Sequence, residues 1–112
     1  MSEATFEACM RQAYHDDEEA VHFIIDIFRL GGESALQAIK DNWGKILAGS
    51  AAIKALMSVG AESAAIKFVQ RIAGLAGAAL VELLIAMVVG LALGAILLAV
   101  EAGIGCADKW NE

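Results

Sequence analysis

The sequence contains no proline, only two cysteines, and a single basic residue, Lys109, beyond Arg71. Each scarcity excludes something. Without proline no helix is forced to break for want of an N–H, and β-branched residues are few outside short apolar runs, so helix costs little along most of the chain. Two cysteines are too few for a disulfide scaffold. No Walker loop, dinucleotide fingerprint, nucleophile elbow or Cys-x-x-Cys pair occurs, so the sequence predicts a non-catalytic chain without a cofactor. The first thirty residues are acidic and lack an apolar stretch beside a basic start, so no signal peptide is predicted.

What is present is apolar. Hydrophobic residues make up 59% of the 112 positions, well above a soluble norm, although much of the excess is Ala and Gly. Charge is unevenly spread: net −6 over residues 1–33, +3 over 34–71 and −3 thereafter. An acidic head argues against a nucleic-acid partner, because phosphate binding needs a basic face. The basic middle segment lies just before the most apolar one, where contact with anionic headgroups would be natural.

The periodicity predicts an all-α chain in three parts: an amphipathic head over 1–61, a long hydrophobic helix over 62–105, and a polar tail over 106–112. A first helix is expected over about Glu3–Leu30, with Asp17 interrupting its apolar stripe and Gly31-Gly32 as its C-cap. Ser34 and Gln37 form a capping-box pattern opening the next helix, with Gly49-Ser50 as the break after it. A short helix over about Ser50–Val59 and a restart near Glu62 follow. The final helix then has no obvious stop before Gly103 and Gly105.

Within it, Leu83–Val100 is eighteen residues without a charge, bracketed by Glu82 and Glu101. At 1.5 Å per residue this is roughly 27 Å, close to the hydrocarbon thickness of a bilayer. Gly74, Ala78, Glu82, Ala86, Gly90 and Gly94 fall on one ridge, with Gly90 and Gly94 a GxxxG pair, so this face is the expected contact with another transmembrane helix. Leu84, Val88, Leu91 and Leu98 are expected to face acyl chains. Glu82 marks either the start of the span or a carboxyl offered to a neighbouring helix. Lys54, Lys67 and Arg71 precede the span and only Lys109 follows it, so the head is expected on the cytoplasmic side of an integral membrane protein. Cys9 and Cys106 would then lie on opposite sides and could not pair within one chain.

His15, Glu19 and His22 share a helical face in this reading and form a candidate site for a divalent metal; the same residues also read as a solvated acidic face. Asn42-Trp43-Gly44-Lys45-Ile46-Leu47-Ala48 resembles the first Bcl-homology motif of the Bax/Bak-type apoptosis regulators. The resemblance implies that Trp43 packs, that Gly44 permits close approach of a partner helix, and that Lys45, standing where Arg is usual, pairs with an acidic residue of that partner. Leu30-Gly31-Gly32 resembles the end of the double-glycine leaders of secreted bacteriocins, but Arg29 and Asp26 stand where such leaders carry apolar residues, and a helix C-cap accounts for the glycines. The function expected from these features is that of a single-span membrane protein assembling through its small-residue face, with itself or as an accessory subunit of a membrane complex. The alternatives are a membrane-permeabilising helical protein, Bax-like or a small pore-forming toxin, and a soluble helical interaction module.

Overall fold

A computed structural model describes residues 3–110. Among them the fold is all α, with seven helices and no strand: α1 (Glu3–Ala13), α2 (Glu18–Asp41), α3 (Trp43–Ser58), α4 (Glu62–Ala73), α5 (Ala78–Gly90), α6 (Leu93–Gly105) and α7 (Ala107–Trp110). The axis of the bundle is α2, which packs on α6 and α5; α3 pairs with α4, and α1 lies against α2 and α7. Helices from both sides of residue 62 share one hydrophobic core, in which Phe6, Ile24, Leu36, Ile46, Ile53, Leu84 and Ile96 are completely buried. The radius of gyration, 13.4 Å, is that of a packed domain of this length, about 13 Å.

Several breaks fall where local chemistry places them. The single helix expected over about Glu3–Leu30 is divided at residues 14–17, because Asp17 caps α2: its carboxylate accepts the Ala20 N–H at 3.1 Å, satisfying one of the donors a helix start leaves free. The turn between α3 and α4 runs through Gly60, at φ 77°, a conformation that costs other residues dearly.

Gly31-Gly32 interrupts the helix as expected: Gly32, at φ 69° and ψ −165°, is non-helical, and α2 consists of two helical stretches that meet at a kink there. Other expectations are corrected. The Ser34 hydroxyl donates back to the Gly31 carbonyl and Gln37 donates to Asp41, so the capping box does not form. Gly49-Ser50 is no break: α3 runs straight through it, because α4 packs there so closely that a β-carbon on Gly49 would stand 3.0 Å from the Phe68 ring. The boundary lies instead at Asn42, whose side-chain amide donates to the Ala38 carbonyl at 2.9 Å and to the Ala73 carbonyl at 3.0 Å. Asn42 thus ties the ends of α2 and α4 together. Asn42→Ala is expected to lower stability by about 1–2 kcal/mol, through the loss of two half-buried hydrogen bonds, read as a lower urea midpoint at unchanged slope.

The single long helix expected over 62–105 is three helices. Gly74, at φ 67°, caps α4 in the left-handed conformation, and Gly77, at φ 90°, precedes α5. The chain then breaks again at Leu91–Ala92. No single helix among the described residues is long and apolar enough to cross a membrane; α4 and α5 together reach that length and composition but meet at 95°.

The pairing of the cysteines is corrected too. Cys9 and Cys106, 97 positions apart, are joined by a disulfide. It fastens α1 to the junction of α6 and α7, where the rings of Phe6, Phe28 and Trp110 pack tilted and edge-on with centroids 4.7–5.3 Å apart. Ion pairs hold α1 from the other side. Arg29 on α2 donates to Glu3 at 2.8 Å, and Arg11 bridges Glu7 and Glu18 across the α1–α2 link. These guanidinium groups hold the Glu3 and Glu18 carboxyls below their ordinary pKa of 4.5. Their contribution is therefore complete above that value and fades as pH falls below it, toward the depressed folded-state pKa. Amide-exchange protection of α1 is expected to drop on acidification below pH 4.5, and less steeply in Glu3→Gln.

Candidate functional site

The uncharged segment Leu83–Val100 is folded into the bundle as two helices with extended backbone between them. Leu91 sits at φ −122°, ψ 161° and Ala92 at φ −68°, ψ 137°. Leu and Ala are among the strongest helix formers, but Gly90 ends α5 and Gly94 follows the break, and glycine makes a helix cheap to interrupt there. The two helices then pack separately against the core. On α5, Val81, Leu84, Ile85, Met87 and Val88 are buried, and on α6 so are Ile96, Ala99, Val100 and Gly103. Both helices are strongly apolar, and besides Glu82 and Glu101 they leave large apolar side chains in the open: Val89 remains 50% exposed and Leu98 57%.

The expected interface ridge is divided among three elements. Gly74 caps α4, Ala78 to Gly90 lie along α5, and Gly94 stands in the first turn of α6. Ala78, Glu82, Ala86, Gly90 and Gly94 are all exposed, and a β-carbon on Gly90 or Gly94 would meet open space. The residues expected to face acyl chains go two ways: Leu84, Val88 and Leu91 point into the core, Leu98 outward. Glu82 lies between two shallow clefts on either side of α5. One, of about 420 Å³, is shared with Asp26, Arg29 and Leu30 of α2; the other, of about 320 Å³, with Met57, Glu62 and Val89. Asp26 accepts from Arg29 at 3.1 Å.

The glycines that do allow close approach are ones the sequence did not single out for it. Gly49 admits the Phe68 ring, and Gly103 lets α6 settle onto Ile24 and Leu36 of α2. Their signal was hidden, since glycine reads as a helix terminator unless its neighbour in space is known.

The metal candidate does not assemble. His15 lies in the link between α1 and α2, outside the helical register that would have aligned it with Glu19 and His22, and His22 is exposed beside Glu18 at 3.4 Å. Among the described residues no three His, Cys, Asp or Glu side chains converge. Trp43 opens α3 and packs against the core, while Gly44 is exposed with open space around it. Lys45, Lys54, Lys67 and Arg71 are exposed and make no ion pair among the described residues, in contrast to the paired arginines of α1 and α2.

No protein-family model, curated protein or solved structure matches this chain.

Proposed function

We propose that this chain is a non-catalytic, membrane-inserting helical protein, in which Leu83–Val100 is stored inside the bundle and enters a bilayer as one continuous helix. The observation that carries this reading is the break at Leu91–Ala92. Two strong helix formers, flanked by Gly90 and Gly94, are extended where α5 and α6 pack separately against the core, and release of that packing would let α5 and α6 join. Joined, the segment is long enough to span. Its eleven Leu, Ile and Val residues favour hydrocarbon by about 0.3–0.6 kcal/mol each at the centre of a span, comparable in sum to the net stability of a small domain. The unpaired cations of α3 and α4 would meet anionic headgroups. In the continuous helix Ala78, Glu82, Ala86, Gly90 and Gly94 return to a single ridge at four-residue spacing, available to a second transmembrane helix, from another copy or from a membrane complex.

Permeabilisation is the second reading. It is favoured by the way amphipathic α1 and α2 cover apolar helices in a closed form. Flotation of the full chain with vesicles of phosphatidylcholine and phosphatidylglycerol tests the first reading, and release of an entrapped dye separates the two. Carbonate-resistant association without leakage is expected for an assembling span. Leakage would favour the permeabiliser, and failure to float both with and without a reductant would leave a helical interaction module as the better account.

A further inference from the structure

The Cys9–Cys106 disulfide is the one covalent tie across the segment that has to open, and it sits where the bundle would be unlocked. The C-terminal end of α6 is enclosed between α2 and α1: a β-carbon at Gly103 would meet Ile24 and Leu36 on one side and lie 3.9 Å from the Met10 sulfur on the other. α7 closes the same end through Trp110, which meets the Phe6 ring edge-on and lies tilted against Phe28. Apart from these contacts, α1 is held by ion pairs of exposed Arg and Glu side chains, which water and salt screen. A cross-link spanning 97 positions removes a large loop-closure entropy from any opened state, so its loss favours opening strongly.

We propose that this disulfide is a redox latch, which keeps α1 and α7 closed over α6 while oxidised and releases the Leu83–Val100 segment when a dithiol reduces it. The inference rests on the membrane-inserting reading above. Cys9 is partly buried against the core and Cys106 is only 2% exposed, so Cys9 is the more accessible sulfur and the first to be attacked. A thiolate of the reducing dithiol attacks the Cys9 sulfur, forms a mixed disulfide there and expels the Cys106 thiolate. The second thiol of the reductant then attacks the mixed disulfide, releases the Cys9 thiolate and leaves the reductant as its own disulfide. Two electrons pass to the protein, and both thiolates take up protons from solvent.

The test compares the oxidised full chain, the same chain treated with dithiothreitol, and Cys9→Ser, in flotation with phosphatidylcholine–phosphatidylglycerol vesicles. Alkylation mass shifts report the thiol state and far-ultraviolet circular dichroism the helix content. Reduction is expected to raise the bound fraction about tenfold or more at limiting lipid. Cys9→Ser should bind as the reduced chain does, and dithiothreitol should not change it. Equal binding by oxidised and fully reduced wild type would overturn the latch and leave the membrane reading standing. Binding in neither state would overturn both. If Cys9→Ser fails to fold, the wild-type arms decide; loss of helix on reduction in buffer alone would also overturn the latch, since the disulfide would then hold the whole fold rather than one clasp.

Discussion

Ala92→Pro is expected to leave the closed bundle folded, or slightly stabilised, and to suppress membrane insertion by about two orders of magnitude, the equivalent of about 3 kcal/mol. Both halves follow from the backbone at the α5–α6 break. Ala92 has φ −68°, the value a proline ring imposes, and its N–H makes no backbone hydrogen bond among the described residues. Leu91 before it, at φ −122° and ψ 161°, already has the extended conformation that a following proline demands. The closed form thus loses nothing, and the unfolded chain loses freedom, a gain of about 0.4–1 kcal/mol. In the continuous helix the same proline removes a hydrogen bond and presses its ring on the preceding turn. Thermal unfolding in buffer and vesicle flotation of the same preparation read the two effects. A variant that melts no lower than wild type yet still inserts equally well would show that the segment does not enter the bilayer as one helix.

Gly103→Leu is expected to cost about 3 kcal/mol of stability, by overpacking the tightest helix crossing that α6 makes. A β-carbon there would stand 2.7 Å from the Ile24 γ-methyl and 2.8 Å from a Leu36 methyl, and both residues are completely buried. Neither can retreat without displacing other core side chains, because interiors are packed to crystalline density. The loss corresponds to a fall of roughly 10 °C in the melting midpoint for a domain of this size. Gly94→Ala, in the same helix but facing open space, should instead gain up to about 1 kcal/mol from helix propensity. Denaturant melts of the two variants check the contrast. Equal effects would mean that α6 does not seat on α2 through Gly103.

By itself the sequence determined that the chain is helical, since proline is absent and the apolar stripes of α1, α2 and α4 repeat at helical spacing. It also determined where one helix stops and the next starts, with an end near Val59 and a restart at Glu62, whereas Asp17 was legible as an interruption of the first apolar stripe but not as the cap of a new helix. The uncharged run of Leu83–Val100 was legible as well, because charge and hydropathy are properties of single residues. What happens within that run was not. Apart from Glu82 and Glu101, α5 and α6 are apolar, so periodicity says little about which face is buried, and Gly90 and Gly94, which flank the break, read as steps of a ridge rather than as a break. Gly74 could have been read as a left-handed cap rather than as one step of a ridge. Gly49 could not have been recognised as a contact, because its meaning depends on the Phe68 ring nineteen positions away. The pairing of Cys9 with Cys106 lay further still beyond the sequence, at a separation of 97. Only tertiary structure decides such features: each is a close approach of chain segments distant in sequence, whereas propensity, capping and charge act over one or two helical turns.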